Sequence, residues 1–212
     1  VGAQSDRFDV RMHVVDLDPD WDDDAIVAAI ESALTVRTRL VLFDHVTSAT
    51  GLVLPAQRVV DLCKDRNVRC VIDGAHAPGM LPLEIEKMAP DFYVGNLHKW
   101  CCAPKGAAFL YAANAYRQCL RPTSISHGYE MGASLQDISA LFDWPGTHDP
   151  SAWFSVPAAL DFIEALHPKG LDALRAETVE LRRKADVLIG EVLPTLSQQS
   201  HRNGWMTTFK LP

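Results

Sequence analysis

The sequence predicts an α/β fold, in which a mainly parallel sheet carries helices on both of its faces. Three apolar runs bounded by polar residues are typical of buried parallel strands, and they cover residues 39–45, 68–73 and 91–96. Between these runs, helical patterns occupy residues 55–66 and 82–88. Strands that alternate with helices favour parallel pairing, because a parallel neighbour needs a crossover connection.

Further elements flank this core. A strand expected to be antiparallel covers residues 107–112. Helices are predicted at residues 18–35, 155–166 and 171–193. Two weaker strands are predicted at residues 10–18 and 205–211. Residues 114–150 are rich in Pro, Ser and Gly and predict a long loop region. A long loop within a compact domain indicates a functional role.

Acidic residues cluster near the start of the predicted helix at residues 18–35, namely Asp20, Asp22, Asp23 and Asp24. Such a cluster is compatible with a metal site. Negative charge also stabilises the first turn of a helix by interacting with its dipole. We favour the second interpretation, a solvated helix start.

The composition narrows the class of protein. Hydrophobic residues make up 48% and charged residues 22% of 212 residues, which is enough apolar material for a substantial core. A net charge of -7 without a basic run argues against nucleic-acid binding, and no apolar run is long enough to span a membrane.

The five cysteines form no CxxC motif, which favours a reducing, cytoplasmic location. Adjacent Cys101 and Cys102 suit buried packing better than a catalytic persulfide.

Two charged residues mark the ends of consecutive predicted strands. Asp73 ends one strand and Lys99 follows the next, and ligands of α/β sheets bind outside the carboxyl ends of the strands. We therefore expect both side chains in one crevice. A lysine can form a Schiff base with the aldehyde of pyridoxal phosphate, while an aspartate keeps the ring nitrogen protonated, so that the ring acts as an electron sink.

Three motifs extend this interpretation: Asp73-Gly-Ala-His76, Asn96-Leu-His98-Lys99-Trp100 and Trp144-Pro-Gly-Thr147-His-Asp-Pro150. From about Leu40 onward the sequence resembles class V aminotransferases of fold type I, and within them the isopenicillin N epimerase-like branch, which includes C–S lyases. The resemblance implies that residues 1–168 are part of a large pyridoxal phosphate-binding domain. Residues 169–212 are then an interdomain helix and the start of a small C-terminal α+β domain.

The same resemblance assigns roles to individual residues. Lys99, Asp73 and His76 are the implied catalytic residues, with His76 near the hydroxyl group of the cofactor ring, where cysteine desulfurases commonly carry glutamine. Asn96 and His98 are expected to bind the phosphate. Many class V members have serine at the position of Asn96, which makes the contact of His98 the better supported one.

Three further cofactor contacts are implied in loops. Thr47 and Ser48 lie in a strand-end loop that aligns with an asparagine near the cofactor in relatives, although a role in forming the turn is nearly as well supported. Thr147 resembles a residue that reaches across a homodimer interface to the phosphate in the partner subunit. Its neighbour His148 stands where close relatives often have arginine.

The implied activity is that of a pyridoxal phosphate enzyme acting at the α-carbon of an amino-acid-like substrate. Epimerisation, C–S bond cleavage and transamination all remain open. The chain has about half the length that this family needs, so an incomplete or non-catalytic relative with exposed apolar sheet edges is the first alternative. A metal-dependent hydrolase using Asp73, His76 and His98 is a weaker one, since it leaves Lys99 unexplained.

Overall fold

The computed structural model describes residues 10–130, 138–197 and 202–212. Its helices, named α1 to α9 in chain order, are Asp23–Ala33, Ala56–Asp65, Ile85–Met88, Asn114–Arg117, His127–Glu130, Ile138–Phe142, Ser151–Phe154, Val156–Ala165 and Leu171–Gly190. Its strands, β1 to β4, are Leu40–Asp44, Arg69–Asp73, Phe92–Asn96 and Ala108–Ala112. The predicted order of strands and helices is therefore confirmed from α1 to β4.

The four strands form one sheet in the order β1-β2-β3-β4. The first three are parallel, and β4 pairs antiparallel with β3, as the sequence predicted. Each parallel neighbour is reached through a crossover, which contains α2 between β1 and β2 and α3 between β2 and β3. The mainly parallel α/β class is confirmed.

One face of the sheet forms the main hydrophobic core. Register partners on the four strands line up across it as a row, Phe43, Ile72, Tyr93 and Tyr111. Ile72 and Tyr93 have no exposed surface. Helices α1 and α2 pack into the same apolar cluster, which explains their helical spacing of apolar residues.

The opposite face is only partly covered. Tyr116 of α4 packs against Phe92, with the ring centroids 5.4 Å apart. Leu42 and Leu110 on this face are 58% and 49% exposed. Asp73 projects from the same face. Its register partner is Asp44, and Asp44 shares a face with Leu42 because the two are two residues apart on β1. The exposed apolar surface predicted for this chain therefore lies beside the expected site.

The acidic cluster is the start of α1. The Asp22 side chain caps the helix by accepting a hydrogen bond of 2.8 Å from the Ala25 N–H group. Asp24 forms an ion pair with Arg58 of α2, with an N–O distance of 2.6 Å. These contacts agree with a helix start rather than a metal site.

Two predicted strands are not formed. Residues 10–18 have no strand pairing, and Val10, Met12 and Val14 are all more than half exposed, so nothing buries their alternating side chains. In the stretch 205–211 only Phe209 forms an isolated bridge, to Thr195. These strand predictions were wrong because alternation alone does not supply a partner strand.

The loop region also contains more helix than predicted. Four short helices, α4 to α7, lie between residues 114 and 154. After them come α8 and α9, which confirm the two predicted helices with shorter ends. No helix in the described ranges is long and apolar enough to cross a membrane. The division at residue 168 stays a prediction.

Candidate active site

Asp73 is held at the carboxyl edge of the sheet by both neighbouring strands. Its carbonyl accepts a hydrogen bond of 2.8 Å from the His45 N–H group, and the following Gly74 N–H donates to the Val94 carbonyl at 2.8 Å. The Asp73 Oδ1 atom accepts a bond of 2.9 Å from the Ala75 N–H group. The carboxylate therefore has a defined position at the edge where ligands of α/β sheets bind.

A close backbone approach brings the loop after β2 to the turn after β3. Gly79 has φ +84°, and a Cβ atom there would lie 2.7 Å from the Trp100 carbonyl oxygen. Glycine alone fits both the conformation and the space. The rings of His76 and Trp100 lie 6.4 Å apart between centroids. This packing carries His76 to the turn that contains Lys99.

Lys99, His76 and Asp73 lie within electrostatic reach of one another. Burial lowers the pKa of His76, the Lys99 ammonium lowers it further, and the Asp73 carboxylate opposes both effects. Lys99 is partly buried, and its ammonium makes no ion pair or hydrogen bond with any described residue. The Nδ1 atom of His76 is buried and lacks a partner among the described residues.

His98 and Asn96 lie next to this group. The Nδ1–H of His98 donates to the Ala107 carbonyl at 2.9 Å, since a carbonyl only accepts. The Nε2 atom is therefore left for another partner. Asn96 ends β3 as the register partner of Ala108, on the same face as Asp73, because Asn96 lies two residues after Val94.

Thr47 and Ser48 lie in the turn that follows β1. The Thr47 hydroxyl is hydrogen bonded to the Thr50 hydroxyl and accepts a further hydrogen bond of 2.9 Å from the Leu52 N–H group. The Thr47 side chain thus closes its own turn. Ser48 is exposed and lines a cavity of about 390 Å³ together with Asp44.

Thr147 lies between α6 and α7, is exposed, and forms no hydrogen bond to the other predicted site residues within the described ranges. Beside it, the Nδ1–H of His148 donates to the Gly146 carbonyl at 2.7 Å. The His148 ring meets the Trp153 ring edge-on at 5.0 Å, and its buried Nε2 atom lacks a described partner.

Three residues at the site were not singled out from the sequence. Asp44 ends β1 as Asp73 ends β2, and His45 follows it directly, so the strand-end rule applies to both equally. Tyr93 gave no signal, since an aromatic residue within an apolar strand is typical of the core. His45 Nδ1 and the Tyr93 hydroxyl are hydrogen bonded at 2.9 Å.

The polar groups of the site fit pyridoxal phosphate. Lys99 offers an unpaired amine, the Oδ2 atom of Asp73 has no hydrogen bond from a described residue, and His76 has its unpartnered Nδ1 atom. The aldehyde of the cofactor would pair with the amine of Lys99, its protonated ring nitrogen with Asp73, and its ring hydroxyl group with His76. The described residues include no group of three His, Cys, Asp or Glu side chains suited to a metal ion, so the metal-hydrolase alternative gains no support.

Comparison with known families decides the affiliation. The sequence profile described as Aminotransferase class-V matches residues 3–211. The chain belongs to the class V aminotransferase family. The match begins upstream of Leu40, the point from which the resemblance was visible in the motifs.

Several relatives of this class V chain have assigned functions. It is 36% identical over 199 residues to isopenicillin N epimerase of Streptomyces clavuligerus, covering 88% of this chain and 50% of that protein. It is 35% identical over 214 residues to isopenicillin N epimerase of Amycolatopsis lactamdurans, covering 96% and 54%. A putative L-cysteine desulfhydrase 1 of Oryza sativa subsp. japonica is 32% identical over 166 residues, covering 74% and 33%.

Solved structures share the fold of this class V chain. A cystine C–S lyase in complex with its product cysteine persulfide superimposes with a TM-score of 0.83 at 22% identity, covering 99% of this chain and 57% of that chain. The apo cysteine desulfurase of Thermococcus onnurineus NA1 gives 0.77 at 19% identity, covering 100% and 53%. The chain thus spans about half the length of the isopenicillin N epimerases and of these two solved structures.

Proposed function

We propose that this class V chain binds pyridoxal 5'-phosphate and acts at the α-carbon of an amino acid or amino-acid-like substrate. The observation that carries the proposal is the shared electrostatic neighbourhood of Lys99, His76 and Asp73, which come from the ends of two adjacent strands. The relatives named as epimerase and as desulfhydrase support an epimerase-like or C–S lyase-like reaction.

The cofactor would supply the chemistry that no side chain offers. When bound, pyridoxal phosphate provides an aldehyde for a lysine amine and a ring that takes up electron density from the substrate α-carbon. Lys99 is the residue for the covalent attachment, because its amine is partly buried and unpaired in the described structure. The same amine would be the group placed to accept the α-proton of the substrate.

The other residues hold and orient the ring. Asp73 places a carboxylate at the ring nitrogen and keeps its proton in place. His76 binds near the ring hydroxyl, and its lowered pKa keeps the imidazole neutral at neutral pH. His98 offers the phosphate its free Nε2 atom, and Asn96 adds an amide donor. Ser48 lies free to contact the ring, whereas the Thr47 hydroxyl mainly holds the turn.

The complete enzyme is proposed to be a cytoplasmic homodimer with its site at the interface. Thr147 is exposed in the loop before α7, which suits a residue that reaches the phosphate in a partner subunit. Trp153 and Phe154 of α7 are 47% and 80% exposed beside it. Exposed aromatic residues of this kind are frequent in subunit interfaces.

Reduction with borohydride tests the proposal directly. The purified protein is incubated with pyridoxal phosphate, its visible absorption is recorded before and after borohydride, and the labelled peptide is mapped. We expect the label on Lys99, its loss in the Lys99→Ala variant, and its retention in the control Lys105→Ala, which alters an exposed lysine six residues away. A label spread over surface lysines contradicts the proposal.

The reaction type is then assigned from products. Loss of optical purity of an amino-acid substrate without a released fragment identifies an epimerase. Release of a sulfur-containing product from a cysteine-like substrate identifies a C–S lyase, and formation of a keto acid with retention of the amino group on the cofactor identifies a transaminase.

A further inference from the structure

A buried polar pair lies directly beneath the Asp73–Gly74 corner. The Tyr93 hydroxyl and His45 Nδ1 are hydrogen bonded at 2.9 Å. Tyr93 has no exposed surface and His45 is 9% exposed. Tyr93 belongs to β3 and His45 follows β1, so the bond passes under β2, the strand that ends in Asp73.

Gly74 makes room for this bridge. A Cβ atom at residue 74 would overlap the hydroxyl group and ring of Tyr93. The phenol therefore packs against the backbone of the residue that follows Asp73. Because the backbone N–H of His45 also donates to the Asp73 carbonyl at 2.8 Å, both members of the pair touch the Asp73–Gly74 backbone.

The pair is electrically neutral at neutral pH. Burial lowers the pKa of His45 to about 4. Burial, followed by the charge of Asp73, raises the pKa of Tyr93 above its ordinary value. The influence of Asp73 on Tyr93 means that the hydroxyl lies within electrostatic reach of the carboxylate. The pair thus adds no charge that would compete with Asp73 for a cationic ring nitrogen.

A polar bridge in this position is more than core packing requires. Phenylalanine at position 93 and an aliphatic residue at position 45 would bury similar area without the cost of desolvating two polar groups. Polar pairs that are fully hydrogen bonded restrict their neighbours to one arrangement. The neighbour restricted here is the Asp73–Gly74 backbone, which sets the direction of the Asp73 side chain.

We propose that the Tyr93–His45 hydrogen bond is a positioning device, which holds the Asp73 carboxylate at the place where it meets the nitrogen of a bound pyridinium ring. This inference rests on the proposed function for the identity of the ring, and on the contacts above for the positioning itself. Tyr93 and His45 are positioning residues, since neither needs to touch the cofactor.

The test compares Tyr93→Phe with Tyr111→Phe. Tyr111 is the register partner of Tyr93 on β4 and makes no hydrogen bond to a described residue, so its variant is a matched control. With pyridoxal phosphate labelled with ¹⁵N in the ring, we expect Tyr93→Phe to move the nitrogen signal toward the deprotonated value and to weaken cofactor binding about fivefold, as for a typical hydrogen bond. Tyr111→Phe should match the parent protein.

A second measurement uses the protein without cofactor. Hydrogen exchange of the Ala75 amide, which donates to the Asp73 carboxylate, is followed by NMR in the parent protein, in both tyrosine variants and in His45→Leu. We expect exchange at Ala75 to accelerate in Tyr93→Phe and His45→Leu while the amides of β2 are unchanged, because a carboxylate that is free to turn no longer protects its donor. His45→Leu keeps the inference testable if Tyr93→Phe does not fold.

The outcomes separate the two proposals. If the parent protein binds no pyridoxal phosphate, the proposed function fails, while the exchange rate of the Ala75 amide still decides the positioning role. If Tyr93→Phe and His45→Leu lower only the melting temperature and leave exchange at Ala75 as in Tyr111→Phe, the pair is structural and the positioning inference is overturned.

Discussion

Asp44 and Asp73 are register partners at the carboxyl ends of β1 and β2, and their side chains project from the same face of the sheet. Burial and the neighbouring Asp73 charge together raise the pKa of Asp44. Two adjacent carboxylates repel each other and favour a cation between or beside them. This arrangement suits a site that must keep a ring nitrogen protonated.

Asp44→Asn is expected to stabilise the protein at neutral pH. A carboxyl group with a raised pKa binds its proton more tightly in the folded state, so its ionisation costs stability as pH rises from 3.8 through the raised value. The Asp44 side chain is exposed, and solvent screening limits the gain to at most about 1 kcal/mol. Urea unfolding at pH 7 and at pH 3 measures it, and an equal gain at both values would contradict the electrostatic cause.

Asp73→Asn is expected to abolish most catalysis while leaving the fold intact. Asparagine keeps the shape of the side chain and still accepts the Ala75 hydrogen bond, but it carries no charge to hold a proton on the ring nitrogen. We expect turnover of an amino-acid substrate to fall by roughly 100-fold or more. Asp61→Asn, which alters an exposed carboxylate on α2, is the control. Asp44→Asn tests whether the neighbouring carboxylate contributes, and a comparable loss in Asp44→Asn and Asp73→Asn would indicate a shared rather than a specific role.

The stability of the protein should fall as pH decreases from about 6.5 to about 4. His45 is buried and neutral, with a pKa lowered to about 4 from the ordinary 6.5. The unfolded chain binds a proton in this window and the folded chain does not, which costs roughly 3 kcal/mol at its acid end. The contribution of neutral His45 to the free energy of unfolding should be fully present above pH 6.5.

His45→Gln provides the comparison for this pH dependence. The variant removes the titrating group, so its unfolding free energy should change less between pH 7 and pH 4 than that of the parent protein. His76 has a lowered pKa as well and contributes to the remaining slope. Identical slopes in the two proteins would exclude His45 as the source.

Gly74→Ala should destabilise the protein by about 1–3 kcal/mol, because its methyl group would overlap the Tyr93 side chain. Gly190→Ala is the contrasting variant. It lies at the end of α9 with nothing within 4 Å of an added Cβ atom, so a gain of up to about 1 kcal/mol is expected. Thermal unfolding of both variants checks the pair, and a neutral Gly74→Ala would disprove the close approach of Tyr93.

Cys102→Gly should stabilise the chain and preserve activity. Cys102 is exposed and has φ +59°, a left-handed conformation that costs a non-glycine residue about 1 kcal/mol. Buried Cys101 has a pKa raised mainly by burial, which makes its thiol a poor nucleophile. Iodoacetamide should therefore label Cys102 and spare Cys101. Loss of turnover in Cys102→Gly would revive the persulfide hypothesis.

Local patterns were sufficient for most of the fold. The apolar runs that form β1, β2 and β3 are bounded by polar residues. The side chains of such runs become buried when the strands pair within a sheet. The stretches 10–18 and 205–211 also have strand-like patterns, weaker than these runs, yet neither pairs with any of the four strands. Pairing depends on which segments meet in space, and a strand pattern carries no information about its partner.

The candidate site shows the same division. Strand ends visible in the sequence predicted Asp73 and Lys99 in one crevice, which follows from parallel topology. The roles of His76, Asn96 and His98 came from the resemblance to class V aminotransferases. The hydrogen bond between Tyr93 and His45 joins residues 48 positions apart and needs the register of three strands. Only the folded chain brings that phenol beneath Gly74, since side-chain reach across a sheet is a property of packing and not of spacing along the chain.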